Sequence, residues 1–289
     1  MVISPDLFVE KQWKRPLRIA AEQAYARFGS LVFELGLARD CPRNPVFIVG
    51  SPRSGTSIFN IMISTNPDIA DLSEAIYIWE PGDRDHSSSH IKTAADVTPA
   101  HIARIRGAFG FYQRMKGKRY FVNKNPRSSV RIGFIQAIFP EAYFIHIVRD
   151  GRAVVNSILG IIKRERYRQK IPLGGFCKPR NWRELLAMPP LERHAAQWAG
   201  IMKEIDTSKR AVPEDRWIEI KYEELCSDPC RHLEDIYCRI GIPADGKTLE
   251  QIKGMARSQN YKWLQKYSVE DIELMNGIMK EPLKRYRYI

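Results

Sequence analysis

The chain has 289 residues, 44% of them hydrophobic and 27% charged, a balance that supports a large core and excludes a disordered polymer. Its net charge of +13 and pI near 9.6 point to a partner with several negative charges: a nucleotide, an acidic glycan, an anionic membrane or a nucleic acid. The five cysteines form an odd set and residues 1–10 lack a basic-then-apolar leader, so free thiols in a reducing, cytoplasmic compartment are expected.

In residues 8–37 the apolar side chains Leu17, Ala20, Ala21, Ala24, Phe28, Leu31 and Leu35 recur at three- and four-residue steps, predicting a helix within an N-terminal extension over 1–40. Its stripe either packs on the domain or lies on a membrane surface. The apolar run 45–50 predicts a buried strand and 54–64 a helix, whereas 80–100 has loop composition. Strands at 120–123, 143–148 and 217–221 alternate with helices at 129–139, 151–163 and 229–241. That alternation predicts a central parallel β-sheet flanked by helices on both faces, hence one α/β domain over 1–289 with a core at 45–160 and a helical insertion at 160–215. No run approaches the roughly 18 apolar residues of a membrane-spanning helix. Cys226, Cys230, His232 and Cys238 fit no common zinc spacing, so no metal site is expected.

The run GSPRSGTS at 50–57 lies between a strand and a helix, where backbone N–H groups and the helix dipole cradle an anion. Its spacing copies the P-loop, with Thr56 at the lysine position. Loss of the group that serves the β- and γ-phosphates speaks against the alternative of a nucleotide or small-molecule kinase. The segment 52–57 resembles the 5′-phosphosulfate loop of the sulfotransferases that use 3′-phosphoadenosine-5′-phosphosulfate (PAPS), a family of P-loop-like fold. The resemblance implies that Arg53, Ser54, Gly55, Thr56 and Ser57 bind the donor without a metal, making 45–160 the donor-binding core.

The same family carries an arginine and a serine eight positions apart for the donor's 3′-phosphate, and Arg149 and Ser157 have that spacing. A guanidinium at a strand end and a hydroxyl two turns into the next helix can converge on one phosphate. His146, inside the apolar strand, reads as a satisfied core residue. Over 45–160 the chain is most similar to tyrosylprotein sulfotransferases and bacterial enzymes like them. That likeness implies Glu74, 21 residues after Arg53, as general base, with Glu80, His86 and His90 as rivals. Lys124, in NKNP at 123–126, would hold the bridging oxygen, and Asn125 stands where the family usually has aspartate.

Tyr222, in KYEEL at 221–225, would stack or pack beside the nucleotide. Ser258 and Lys262 lie where the family closes a loop over the donor, with Trp263 as an adenine platform. The implied activity moves a sulfuryl group from PAPS to a hydroxyl of a small-molecule, glycan or lipid acceptor and releases PAP. Residues 80–118 and the insertion, with Tyr167, Phe176, Trp182 and Trp198, would surround that acceptor, and peripheral membrane contact is compatible with it. The noncatalytic alternative is a PAP- or nucleotide-binding protein. Nucleic acid is not an expected partner, since no helix-turn-helix, zinc-finger or RNA-binding motif is apparent.

Overall fold

The computed structural model describes residues 15–37, 42–81, 88–244, 246–256 and 260–289. Five short strands, β1 (Val46–Val49), β2 (Ile69–Asp71), β3 (Tyr120–Lys124), β4 (Tyr143–Val148) and β5 (Trp217–Lys221), form one sheet in the order β2-β3-β1-β4-β5. All pairings are parallel, and Val46 of β1 is flanked by Val122 of β3 and Tyr143 of β4. The helices in chain order are α1 (Arg15–Glu34), α2 (Thr56–Ile63), α3 (Ile76–Trp79), α4 (Pro99–Met115), α5 (Ile132–Ile138), α6 (Gly151–Arg164) and α7 (Trp182–Leu185). They continue with α8 (Pro190–Ser208), α9 (Tyr222–Ser227), α10 (Pro229–Ile240), α11 (Gly246–Ile252), α12 (Val269–Ile278) and α13 (Lys280–Arg285).

Side chains alternate across a strand, so β1 sends Phe47 and Val49 into one core and Val46 and Ile48 into the other. The first core meets α3 to α6, α8, α12 and α13, and its Phe47, Phe109, Phe139 and Phe144 rings pack around one another. The second meets α2 and α9 to α11. Each fully buried Phe or Ile contributes about 1.5–3 kcal/mol relative to exposure, which makes these two layers the main stabilising term. His146 lies in the sheet with no exposed surface, its Nδ1 3.1 Å from Glu219 and its ring beside Trp217 and Tyr286, as expected of a core residue. Glu219 is held at about 2: burial would raise its pKa, but the hydrogen bond and attraction to His146, with Lys209, outweigh it.

Two expectations change. The helix expected at 129–139 is a 3-10 turn over Pro126–Val130 followed by α5, and the three-residue edge strand β2 had no readable pattern. In α1 the predicted stripe faces outward, with Leu17 73%, Phe28 59%, Leu31 53% and Leu35 64% exposed. The packing face instead carries Glu22, Tyr25, Ala26 and Gly29. Gly29 crosses Gly107 of α4 so closely that a Cβ on Gly29 would lie 2.4 Å from the Gly107 backbone, and one on Gly107 2.2 Å from the Gly29 carbonyl. Small residues let the two backbones approach, and leucines would hold them apart. Residues 8–14 of the expected helix lie outside the described residues.

Candidate functional site

β1 has neighbours on both sides from opposite crossovers, and in such sheets ligands bind beyond the carboxyl ends of the strands at that point. Each strand here hands a site residue to that edge. β1 runs into the 50–57 loop, β2 toward Glu74, β3 ends on Lys124, and Arg149 and Tyr222 are the first residues after β4 and β5.

The loop turns on positive φ at Gly50, Arg53 and Gly55. Gly55 caps α2 at φ 101°, and a Cβ there would lie 2.3 Å from the Tyr222 ring, so both backbone and space require glycine. Ser129 fastens the loop's entrance, its Oγ donating to the Gly50 carbonyl at 2.7 Å and accepting from the Gly50 N–H at 2.9 Å. Within this turn the hydroxyl oxygens of Ser51 and Ser54 are buried without a hydrogen-bond partner. Buried polar groups are normally paired, so two orphans beside a helix N-terminus fit an oxyanion ligand.

The second cluster adjoins the first. The Arg149 Nη1 donates to the Arg53 carbonyl at 2.9 Å, and the Arg53 Nε donates to Ser157 Oγ at 3.2 Å. Arg149 also lies 4.4 Å above the Tyr222 ring, and Tyr222 is 7% exposed, so the tyrosine is a packed floor for the guanidinium. The Arg53 residue reaches solvent, yet its guanidinium is desolvated and close to Arg149, Arg164 and Arg168, which together lower its pKa. Clustered like charges of this kind are relieved by an anion.

Glu74 and Lys124 form the reactive-looking pair, Lys124 Nζ to Glu74 Oε1 at 2.9 Å, with the lysine side chain 6% and the glutamate 41% exposed. Glu74 sits at φ 66° and Ala75 at φ 39°, a left-handed step that a non-glycine residue adopts only when its surroundings impose it. Those surroundings are visible: Glu74 N–H donates to the Lys124 carbonyl at 2.7 Å, and Asn125 Nδ2 donates to the Glu74 carbonyl at 2.7 Å. The amide at 125 therefore supplies a donor that the more usual aspartate lacks, while its Oδ1 caps the following turn at Arg127. From α1, Glu22 Oε2 accepts the Tyr77 N–H at 3.1 Å, so the same segment is held from outside the sheet.

The rivals differ. Glu80 is paired with both Arg127 and Arg131, and its side chain is 9% exposed. His90 is 1% exposed, its Nδ1 accepting the Lys178 N–H at 3.1 Å. Burial, then Arg131, lowers the Arg127 pKa to about 10. His86 lies outside the described residues, as does Ser258. Lys262 is exposed, and the Trp263 ring is buried with the Arg152 guanidinium 4.5 Å over it. Of the aromatic residues expected around the acceptor, Trp198 is core: 1% exposed, it packs where a side chain on Gly151 would have to go. Trp182 is also buried, and Tyr167 is exposed.

Sequence reasoning missed the support of Arg149. Its Nε donates to Asn260 Oδ1 at 2.8 Å, Asn260 bonds Glu223, and Glu223 accepts the Tyr288 hydroxyl at 2.8 Å. The KYEEL match drew attention to Tyr222 when its neighbour Glu223 is the group that ties three segments together. Among the described residues no cluster of His, Cys, Asp or Glu could hold a metal ion, and no helix is long and apolar enough to cross a membrane.

A family model described as "Sulfotransferase family" matches residues 45–246. Protein-tyrosine sulfotransferase A of Caenorhabditis elegans is 25% identical over 72% of this chain and 53% of its own length. The omega-hydroxy-beta-dihydromenaquinone-9 sulfotransferase Stf3 of Mycobacterium bovis is 29% identical over 47% of this chain and 33% of its own length. The chain thus spans about half the length, or less, of these curated relatives. Among solved structures, the sulfotransferase STF9 of Mycobacterium avium shares the fold with a TM-score of 0.56 at 13% identity, covering 88% of this chain and 80% of the other. With a phosphate-type loop after β1, an arginine cluster around Arg53 and Arg149 and a family match across the whole sheet, the chain belongs to the sulfotransferase family.

Proposed function

We propose that the protein transfers the sulfuryl group of PAPS to a hydroxyl of a small-molecule, glycan or lipid acceptor. The observation that carries this reading is the convergence, along one sheet edge, of the Glu74–Lys124 pair with the Arg53, Arg149 and Ser157 cluster. PAPS would supply the sulfuryl group and leave as PAP. The 50–57 loop, with Arg53, Ser54, Gly55, Thr56 and Ser57, holds the 5′ end, and the orphaned Ser51 and Ser54 hydroxyls are suited to that anion. Arg149 and Ser157 hold the 3′-phosphate, with Tyr222 packed beneath, and Ser258 and Lys262 join from the C-terminal stretch.

Glu74 takes the acceptor's proton. Its partial exposure leaves it reachable by a hydroxyl, and the Lys124 ammonium 2.9 Å away fixes its carboxylate in place. Once Glu74 is neutral, its hold on Lys124 weakens, and the ammonium is available to the charge developing on the leaving phosphate. Deprotonation and leaving-group stabilisation are thereby coupled through one 2.9 Å contact. Arg53, Arg149 and Lys124 supply the neutralising charge, so the reading calls for no metal. Unpaired thiols at Cys177, Cys226, Cys230 and Cys238 support a cytoplasmic setting.

The test is calorimetry with PAP and AMP. PAP should bind more tightly than AMP, and Arg149→Ala should abolish the difference. Equal affinities in the parent protein would remove the 3′-phosphate anchor and the donor assignment with it.

A further inference from the structure

We propose that the outer face of α1, with the C-terminal end of α4, docks on an anionic membrane surface. This goes beyond the proposed reaction and does not depend on it. Leu17, Phe28 and Leu31 form one outward row on α1 that Leu35 continues in the turn after it, each more than half exposed. Phe28 stacks on Phe111 of α4 with ring centroids 6.3 Å apart, and Met115, 66% exposed, extends the apolar surface along that helix. A large continuous apolar face of this kind marks an interaction surface. The opposite face of α1 is already committed through Glu22, Tyr25 and the Gly29 crossing, so the row has no inward alternative.

Charge selects the occupant. Arg27 on α1 and Arg114 and Lys116 at the C-terminal end of α4 are exposed, as is Arg119 three residues further along the chain, against the single exposed acid Glu34 of α1. Arg114 donates to the Leu37 carbonyl at 2.5 Å, which draws the basic turn up to the end of the row, where Leu37 is 62% exposed. Apolar anchors flanked by cations match a headgroup layer with anionic lipid. A second copy of the chain fits poorly, because a two-fold contact would set those same cations against their own images. Too polar to span a bilayer, α1 at 20 residues is about 30 Å long and would lie along the surface.

The test is co-flotation of the full chain with vesicles of phosphatidylcholine alone or of phosphatidylcholine with phosphatidylglycerol. The parent should float with the anionic vesicles in preference to the neutral ones, less so at high salt. Phe28→Asp with Leu31→Asp should weaken binding at least about tenfold with circular dichroism melting retained, since two anchors become charges. Lys116→Glu with Arg119→Glu should remove the preference for anionic lipid, a second variant that leaves the apolar row intact. Absence of parent binding to anionic vesicles, or parent-like binding by both variants, overturns the proposal. So does concentration-dependent dimerisation that the Asp substitutions abolish without vesicle binding by the parent, which would assign the face to a second copy.

Discussion

Glu74 and Glu80 flank the single turn of α3, each faces cations, and they are built for opposite purposes. Glu80 is 9% exposed at its side chain and pairs with two buried arginines, whereas Glu74 is 41% exposed, pairs with Lys124 and is felt at Arg127 only through space. A proton acceptor has to be reachable and has to be able to lose its charge without stranding its partners. Protonating Glu80 would take the ion-pair partner from two buried arginines, whereas protonating Glu74 releases the Lys124 ammonium beside the site. The difference favours Glu74 over Glu80 for the proposed proton transfer, although sequence spacing alone left both open.

That contrast can be broken by experiment. Glu74→Gln is expected to lower turnover by about 10²–10⁴-fold with PAP affinity unchanged, measured by labelled-sulfate transfer and calorimetry. Full turnover would return the role of base to a rival. Glu80→Ala should instead cost stability, about 3–5 kcal/mol for stranding buried charge, read from urea unfolding, while Glu74→Gln barely moves the same curve. On the donor side, Arg149→Ala should weaken PAP about 10–100-fold, the loss of charged hydrogen bonds, with AMP affected far less.

The smallest effects concern pH and support. Glu219, held at about 2 instead of the usual 4.5, has a depressed folded pKa, so its stabilising share is present above about 4.5 and disappears as pH falls toward 2. Glu219→Gln should therefore flatten the acid limb of a stability profile across that window, and an unchanged slope would dissociate the His146 contact from acid sensitivity. Tyr288→Phe removes one hydrogen bond to the Glu223 carboxylate and should weaken PAP only a fewfold, because the effect reaches Arg149 indirectly through Asn260.

The legible parts of this molecule were those written in contiguous residues. The 50–57 loop, the Arg149 to Ser157 interval and the strands that carry them are local patterns, and the structure brings Arg53, Arg149 and Ser157 together. β2 was unreadable because a three-residue edge strand is shorter than any period it could display. The Arg149 support was unreadable for another reason: Glu223, Asn260 and Tyr288 meet only after the chain folds. In α1 the hydropathy stripe left packing and surface readings open and could not show the inner face, because Glu22 and Gly29 look polar or neutral in a sequence and yet are what a backbone amide and a close helix crossing require.

The Gly29 and Gly107 crossing has a consequence for how this chain can vary. Each glycine meets main-chain atoms of the other, not a side chain that a second substitution could trim. A methyl at one position has no compensating change at its counterpart, so the two must persist together or the crossing must be abandoned altogether. Because Glu22 rides on the same helix and steadies the Tyr77 amide, abandonment would also be felt three residues from Glu74. Two hydrogens thus tether the inheritance of a peripheral helix to that of the reactive carboxylate.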